Sequence, residues 1–174
     1  MVEPSFVAYD PSKHREKTIS MFLEYRVWFL TEFKENTGID FLEVTGRTLS
    51  DFKSSIDNFL DLRPPEGALL VIEVDDELAG MGTIHKLSND TGEVKRMLTR
   101  PKYRRRGFAR SILNELLHVG RDLGCSRFLL DSPKWATASH GLYRSTGFSY
   151  VDEYPESEIP PILREHWIFM EKIE

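Results

Sequence analysis

The sequence predicts a single α/β domain in which helices flank a mixed β-sheet. Two observations carry the prediction: a hairpin-like pair of apolar segments lies near the middle of the chain, and strand-like segments alternate with amphipathic helical segments after it. A third observation concerns organisation, because no repeat, linker or low-complexity tract interrupts the 174 residues. One domain covering residues 1–174 is therefore expected.

The first part of the chain is predicted to be a short strand followed by two helices. The strand covers residues 2–9, and a helix from about 13 to 35 follows, ended by Gly38. Apolar residues recur in this helix at steps of three and four and are expected to share one face: Ile19, Phe22, Leu23, Val27, Leu30 and Phe33. A second amphipathic helix is expected from about 49 to 62, before Pro64. Its inward residues are Phe52, Ile56, Phe59 and Leu60.

The second part of the chain is predicted to alternate strands with helices. Strands are expected at residues 68–74, 78–87, 92–99, 127–131, 147–151 and 166–172. Helices are expected between them at residues 108–123 and 137–145. Gly124 is placed to end the first of these helices. Gly80 and Gly82, inside the second strand of the hairpin, indicate a bulge or a close backbone approach.

The charge balance and the cysteine content exclude several classes of protein. The 23 lysines and arginines stand against 28 acidic residues, and this net charge of −5 does not suit a protein that coats nucleic acid or an anionic membrane. No apolar run approaches the ~20 residues of a membrane span, and the first residues lack the pattern of a secretory signal. Cys125 is the only cysteine, so no internal disulfide can form, and we expect a packed thiol in a cytoplasmic protein.

A basic loop between a predicted strand and a predicted helix is the most informative part of the sequence. Eight of the seventeen residues from 94 to 110 are basic, in a chain that is acidic overall. The first amides of a helix lack internal partners and carry partial positive charge, so this helix start is a potential phosphate site. Gly107 would let a ligand approach the backbone there. A solvated basic turn and an RNA-binding loop are alternatives; the net charge and the lack of an aromatic strand pair disfavour the latter.

Two motifs resemble the GNAT acyltransferase superfamily. RRRGFA at residues 104–109 fits its R/Q-x-x-G-x-G/A signature, and LYRSTGF at residues 142–148 looks like its Leu-Tyr-x-x-x-Gly-Phe segment. The resemblance covers about residues 70–150. It implies a splayed, mostly antiparallel central sheet flanked by helices. It also implies an N-acetyltransferase that moves the acetyl group of acetyl-CoA to an amine by direct attack in a ternary complex, without a metal.

The resemblance also implies where acetyl-CoA binds. The backbone of Met97, Leu98 and Thr99 would pair with the pantetheine arm as one strand pairs with another, and an N–H near Leu98 would stabilise the oxyanion. The pyrophosphate would be held by six consecutive residues: Arg104, Arg105, Arg106, Gly107, Phe108 and Ala109. Two positions depart from the family pattern, since Ala136 stands in place of an asparagine, and Arg105 in place of a glycine, of many relatives.

Three residues are candidates for proton transfer. Tyr143 matches the tyrosine of the family and is expected to protonate the departing thiolate; the alternative is that its ring only packs against the cofactor. Glu93, at the start of the strand that would carry the thioester, is expected to act as the base; the alternative is a surface cross-strand pair with Lys95 or Arg127. His85 is the reserve candidate for the base, although a lone histidine on a strand is more often structural.

The acceptor site is expected to be aromatic and acidic. The family places it between the first two helices, the region of Gly147 and the segment before the last strand. The aromatic residues and acids of those segments include Tyr25, Trp28, Phe29, Phe33, Tyr154, Trp167, Glu153, Glu156 and Glu158. Such a site favours a compact cationic small molecule, an amino acid or a polyamine-like amine, unless these residues are core and solvated surface. A peptide or protein amine, a homodimer and a non-catalytic acetyl-CoA sensor stay open, and an intact Tyr143 argues against the sensor.

Overall fold

The computed structural model describes residues 5–174 and contains the predicted helices and strands of that range. Its strands are β1 (Ser5–Ala8), β2 (Gly67–Val74), β3 (Glu77–Lys86), β4 (Thr91–Thr99), β5 (Arg127–Pro133), β6 (Ser149–Val151) and β7 (Trp167–Ile173). Its helices are α1 (Pro11–Thr37), α2 (Phe41–Thr45), α3 (Leu49–Leu60), α4 (Phe108–Asp122) and α5 (Thr137–Ser145). Short 3-10 turns occupy Pro101–Tyr103 and Pro161–His166. The first three residues of the predicted strand at 2–9 lie outside the described residues.

Local signals define both ends of α1. The Asp10 side chain accepts a hydrogen bond from the Ser12 N–H (2.9 Å), and Pro11 occupies the first helical position, where its missing N–H costs nothing. At the other end Gly38 has a φ of 73°, and its N–H donates to the Lys34 carbonyl (2.9 Å). The predicted end of the helix at Gly38 is confirmed.

The buried face of α1 differs in part from the prediction. Phe22 and Phe33 are buried as expected, but Leu23 and Val27 are 43% and 65% exposed, so the predicted face was wrong for these two residues. The buried residues of the helix are His14, Thr18, Met21, Phe22, Phe29 and Phe33. Leu23 follows Phe22 by one residue, about 100° around the helix, and Val27 continues that outer row. Apolar residues therefore form two adjacent rows, and only one row is covered by the rest of the protein.

Helix α3 packs as the sequence predicts. Its first turn is closed by a capping box in which the Thr48 backbone N–H donates to the Asp51 carboxylate and the Asp51 N–H donates to the Thr48 hydroxyl (3.3 Å). The four residues predicted to point inward are all buried: Phe52, Ile56, Phe59 and Leu60. The helix ends at Leu60, two residues earlier than predicted. The five-residue helix α2, begun by an Asp40 cap, has no counterpart in the prediction.

One seven-stranded sheet runs through the molecule in the order β1-β2-β3-β4-β5-β7-β6. All neighbouring strands are antiparallel except β4 and β5, which are parallel. The parallel pair is short: Thr91, Gly92 and Glu93 of β4 face Arg127, Phe128 and Leu129 of β5, and the pairing ends there. Beyond Glu93 the two strands part. The predicted mixed, mostly antiparallel and splayed sheet is confirmed.

A bulge in β4 lies beside this parting. Met81 of β3 is paired with Leu98 and Thr83 with Lys95, so that two residues of β4, Arg96 and Met97, face the single Gly82. A Cβ atom at Gly82 would lie 2.8 Å from side-chain atoms of α4 and of Met97, so only glycine leaves room there. The close approach predicted from this glycine is confirmed.

Helices cover both faces of the sheet. Helix α4 packs on one face through residues that are almost completely buried: Ile112, Leu113, Leu116 and Leu117. Cys125 is buried in the same cluster, as predicted. Helices α1 and α3 cover the other face through Phe22, Ile56 and Phe59. An aromatic cluster continues that layer over β5 and β7, where Phe33 lies among Trp135 and Trp167. No helix within residues 5–174 is both long and apolar enough to cross a membrane.

Candidate active site

A cleft of about 1690 Å³ opens where β4 and β5 part. Its walls come from α1, the bulged half of β4, the loop before α4, the end of β5 and the start of α5. Most of the residues predicted to bind the cofactor border it: Met97, Leu98, Thr99, Arg104, Arg105, Gly107, Phe108 and Ala109. Tyr143 and His85 border it too, whereas Glu93 and Arg106 do not. The fold thus brings together around one space predicted residues as far apart in the chain as Tyr25 and Trp167, which are 142 positions apart.

The loop at residues 100–107, called the phosphate loop below, is held by its own backbone. The N–H groups of Tyr103 and Arg104 donate to the carbonyls of Arg100 (2.9 Å) and Pro101 (3.2 Å). Gly107 then begins α4 with a φ of 85°, and no atom lies within 4 Å of the position that its Cβ would take. The first amides of α4 have no intrahelical partners. Gly107, Phe108 and Ala109 border the cleft, so an anionic ligand in it can reach these amides.

Arg105 occupies a strained position in this loop. Its φ of 61° lies in the left-handed region, which glycine adopts freely and other residues rarely do. The glycine that the resembled pattern has at this position would adopt such a φ without strain. This chain carries an arginine there.

The edge of β4 beyond Glu93 is available to a ligand. On its other side β4 pairs with β3 through Leu98 and Thr99, but the pairing with β5 has already ended. An extended molecule laid along this edge can complete the ladder as an additional strand would. The edge leads from the bulge at Arg96 to the phosphate loop, so such a molecule would end at the helix start.

Tyr143 reaches the cleft from α5. Its side chain is 7% exposed, and its ring packs at 6.1 Å from the ring of Phe148. Burial, supported by the neighbouring Tyr25 and Asp131, raises the pKa of Tyr143 well above its ordinary value. The phenol is therefore protonated at physiological pH and can donate a proton into the cleft.

Glu93 lies behind the cleft wall rather than on it. It is 2% exposed; its Oε1 accepts a hydrogen bond from the Tyr154 hydroxyl (2.9 Å), and its Oε2 is 3.2 Å from the Lys95 ammonium. Of the two partners expected from the sequence, Lys95 is the one that forms an ion pair with Glu93. The pair was expected at the surface but is buried. Arg127 pairs with Glu171.

His85 is held by a neighbouring arginine. Its Nε2 is 3.2 Å from Nη1 of Arg96. Burial, with further contributions from the charges of Arg96 and Lys95, lowers the pKa of His85 to about 4. The imidazole is therefore neutral at physiological pH, and its Nε2 can accept a hydrogen bond from the guanidinium.

Asp131 is a site residue that sequence reasoning missed. It stands at the point where β5 leaves β4, borders the cleft, and accepts a hydrogen bond from the Ser157 hydroxyl (3.4 Å). Burial raises the pKa of Asp131 to about 6; Lys95 opposes this shift and Glu93 adds to it. The available signal was a carboxylate at the end of an otherwise apolar strand, LLD at residues 129–131.

The predicted aromatic and acidic acceptor site is assembled only in part. Five of the residues named for it border the cleft: Tyr25, Trp28, Phe29, Trp167 and Glu158. Phe33 and Tyr154 are buried in the aromatic cluster behind it, which is the alternative expected from the sequence. Glu153 pairs with Arg164 (3.1 Å) outside the cleft, and Glu156 is exposed.

Two parted strands beside an open helix start have the shape that suits an extended ligand ending in phosphate. Comparison with known proteins identifies the class of this protein. The model of the Acetyltransferase (GNAT) family matches residues 24–148. The chain therefore belongs to the GNAT family, and its class is that of the acyltransferases.

Individual relatives agree with this assignment. The chain is 34% identical over 102 residues to the uncharacterized N-acetyltransferase YedL of Escherichia coli, a match that covers 58% of this chain and 64% of that protein. It is 31% identical over 97 residues to the uncharacterized N-acetyltransferase YsnE of Bacillus subtilis, which covers 55% of this chain and 64% of that protein. The matches thus span just under two thirds of the length of these relatives.

A solved structure extends the comparison to the whole fold. The PaiA N-acetyltransferase of Thermoplasma acidophilum, in complex with coenzyme A, superposes with a TM-score of 0.69 over 99% of this chain and 100% of that one. The sequence identity is 16%, so this likeness concerns the fold alone.

Proposed function

We propose that this protein is an N-acetyltransferase that moves the acetyl group of acetyl-CoA to the amine of a small molecule by direct attack in a ternary complex. The observation that carries the proposal is the parting of β4 from β5 next to the open N-terminus of α4. Family membership and the coenzyme A bound by the PaiA structure support it.

The residues of the cleft fit the parts of coenzyme A. The pyrophosphate is assigned to the amides from Arg105 to Ala109, where the missing side chain of Gly107 leaves space for it. The Arg104 amide already donates to Pro101 and leaves only its side chain for the ligand. Arg104, Arg105 and Arg106 supply positive charge around that position. The pantetheine arm is assigned to the free edge of β4 along Met97 to Thr99. When bound, the thioester supplies an electrophilic carbonyl carbon, and a backbone N–H near Leu98 is assigned to the charge that develops on its oxygen.

Tyr143 is assigned the role of general acid. It lies in the wall of the cleft, and its raised pKa keeps the phenol protonated over the physiological range. Donation of this proton to the sulfur would let the thiolate depart as a neutral thiol.

Asp131 and Glu93 are the two candidates for the base that takes a proton from the acceptor ammonium. Asp131 borders the cleft and is ionised above about pH 6, so it can accept the proton directly. Glu93, the base expected from the sequence, is separated from the cleft by Lys95 and could act only through that group or a water molecule. We therefore propose Asp131 as the base and assign Glu93 to positioning Lys95.

The proposal is tested in two steps. Titration calorimetry with acetyl-CoA should show binding, and millimolar acetyl-CoA acting on a micromolar dissociation constant should stabilise the fold by about 4 kcal/mol. Thiol release is then measured over a panel of small amines with acetyl-CoA present. Absence of binding would overturn the cofactor assignment. Binding without thiol release from any amine would instead favour a protein that senses acetyl-CoA.

The remaining expectations from the sequence stay predictions. These are a cytoplasmic location, the lack of a nucleic-acid partner and a homodimer.

A further inference from the structure

Three arginines border the end of the cleft that lies away from the phosphate loop. They are Arg26 of α1, Arg47 in the segment before α3, and Arg96 at the bulge of β4. In the part of the chain that the structure describes, none of the three forms an ion pair with a carboxylate, although lysines and arginines form eleven other ion pairs there. The three guanidiniums repel one another, and the carboxylates near them are not in ion-pair contact: Asp51 near Arg47, and Glu93 and Glu158 near Arg96. An anion bound among the guanidiniums would therefore be stabilised.

Arg26 is the most enclosed of the three. Its guanidinium lies 3.8 Å from the ring centre of Phe52 and 5.5 Å from that of Phe29. Its Nε is buried and has no hydrogen-bond partner among residues 5–174. Burial and the charges of Arg96 and Arg47 lower the pKa of Arg26 to about 10, which leaves the group charged at physiological pH. Aromatic rings hold this guanidinium in place, but they do not satisfy its N–H donors.

Arg96 is fixed in orientation by its backbone and by His85. Its φ of 52° is strained for an arginine and belongs to the bulge of β4. Its guanidinium lies 4.8 Å from the ring centre of Phe59, and Nη1 meets the neutral His85. The two nearby carboxylates, Glu93 and Glu158, make their short contacts with Lys95 instead, at 3.2 and 2.9 Å. The other donors of the Arg96 fork are thus left for a ligand.

These arginines are not placed to serve the phosphates of coenzyme A. Two contacts show which side of α1 faces the phosphate loop. Glu24 forms an ion pair with Arg100 (2.8 Å), and the guanidinium of Arg104 lies 5.9 Å from the ring centre of Trp28. Arg26 is two residues from each, about 200° around the helix, and faces α3. Arg96 precedes the stretch of β4 assigned to the pantetheine arm. Both arginines therefore lie beyond the thioester, on the acceptor side.

We infer that the acceptor amine carries a carboxylate, which Arg26 and Arg96 bind, and that the acceptors are amino acids or closely related amino carboxylates. The inference rests on the proposed function. A planar carboxylate matches the two-pronged guanidinium fork. Tyr25 borders the same cleft, and burial raises its pKa; the charge of Arg26 opposes this shift and the charge of Asp131 adds to it, so Tyr25 lies near both groups. The carboxylate would lie at the arginines and the ammonium would point to Asp131.

This inference narrows the expectation drawn from the sequence. An amino acid and a polyamine-like amine were both compatible with an aromatic and acidic site. A polyamine would place its second cation against the three arginines, which disfavours it. His85 is assigned to positioning Arg96.

The test compares matched acceptors on the wild-type protein. Each amino acid of a panel is assayed by thiol release beside its carboxamide and its decarboxylated amine, and spermidine is included. The best amino acid should exceed its two analogues by about 10- to 100-fold in kcat/KM, the effect of losing hydrogen bonds to a charged group. Equal or better turnover of the carboxamide, the decarboxylated amine or spermidine would overturn the inference. So would a preference for a phosphorylated amine.

Variants locate the carboxylate site. Arg26→Met keeps the packing on Phe52 and removes the charge, and Arg96→Gln removes the fork. Each should raise KM for the amino acid about 10-fold or more and leave KM for its decarboxylated analogue and the affinity for acetyl-CoA unchanged. Arg15→Met is the matched control, because Arg15 is a half-exposed residue of the same helix that pairs with Asp57 away from the cleft. Equal losses for both acceptors in the cleft variants would overturn the assignment.

The two levels of the proposal fail differently. Loss of acetyl-CoA binding, or no turnover of any amine, would contradict the proposed function itself. Normal acetyl-CoA binding with turnover that ignores the carboxylate would contradict only the inference about the acceptor.

Discussion

The two ends of the cleft present different chemical groups to a ligand. At the phosphate loop the ligand is assigned to backbone amides, and the arginines before Gly107 are exposed at the surface. At the acceptor end the groups are side chains, and the guanidiniums of Arg26 and Arg96 are set on the rings of Phe52 and Phe59. One end comes from a single continuous segment, and the other from α1, α3, β4 and β5.

This difference matches what each end has to recognise. A backbone site binds phosphate regardless of side-chain identity, which suits a ligand that is the same in every reaction cycle. A side-chain site can change its chemistry by single substitutions, which suits an acceptor that distinguishes one enzyme from another. The two ends meet at Tyr143 and the bulge of β4. Substitutions can therefore be chosen to affect one end, the other, or only their meeting point.

The largest effect is expected at the meeting point. Tyr143→Phe removes the proposed proton donor and leaves the ring packed against Phe148. Turnover should fall by roughly 10²–10⁴, while the affinities for acetyl-CoA and for the acceptor stay nearly constant. Steady-state kinetics and calorimetry on the same preparation measure both quantities. A variant with near-normal turnover would make Tyr143 a packing residue.

The pH profile gives a second check on Tyr143. An acid acts only while it is protonated, and burial moves the pKa of Tyr143 upward from the ordinary ~10. Activity that depends on this phenol should therefore persist through pH 9 and fall only above ~10. A decline with a midpoint near 8 that disappears in Tyr143→Phe would contradict the burial of this group.

The next effect concerns the backbone end. Gly107→Val places a branched side chain in the space assigned to the pyrophosphate, and the stabilisation of about 4 kcal/mol by millimolar acetyl-CoA should be lost. Gly38→Val is the matched control, since Gly38 also has a positive φ of 73° with open space around it, but ends α1 outside the cleft. Both variants carry a similar backbone strain of ~1–2 kcal/mol. Equal acetyl-CoA binding by the two would place the phosphate site elsewhere.

The contrast between the ends also explains what the sequence could and could not predict. The phosphate loop is formed by consecutive residues: a strand, a run of basic residues, Gly107 and an amphipathic helix. The hydrophobic pattern of the strand and of the helix is visible in the sequence, and so are the basic run and the glycine between them. The left-handed backbone at Arg105 is the exception, because an arginine gives no sign of a glycine-like conformation.

The acceptor end could not be predicted in the same way because its environment is long-range. Arg26 looks like a solvated helix residue until α3 places Phe52 against it, and the neighbours of Asp131 come from β4 and from the segment before β7. Apolar periodicity also fails where two rows compete, as it does for Leu23 and Val27. Helix α2 has five residues, which is too short for a period to be visible.

A smaller effect is expected from the proposed base. Asp131→Asn should lower turnover about 100-fold, at the low end of the range for proton transfer. A base acts only while it is deprotonated, so kcat at saturating acceptor should rise with pH through a limb at or below about 6, the pKa of Asp131 before an ammonium binds beside it, and the variant should lose this limb. Because kcat reports the ternary complex, ionisation of the free amine does not enter. A limb near pH 4 that survives in Asp131→Asn would point to His85, whose pKa is lowered to about 4.

The smallest effect on activity is expected from Glu93. Glu93→Gln keeps the shape of the side chain and can still accept the hydrogen bond of Tyr154, but it removes a buried counterion of Lys95. Lys95 keeps its ion pair with Glu158, which is largely exposed. The free energy of unfolding should therefore fall by about 1–3 kcal/mol, a smaller loss than when a buried ion loses its only partner. Turnover should fall less than 10-fold, because the group lies behind the cleft wall.

A double-mutant cycle with Tyr154→Phe, followed by denaturant unfolding, separates the hydrogen bond from the charge. The opposite outcome, a 100-fold loss of turnover with unchanged stability, would restore Glu93 as the base and leave Asp131 to bind the acceptor ammonium without taking its proton.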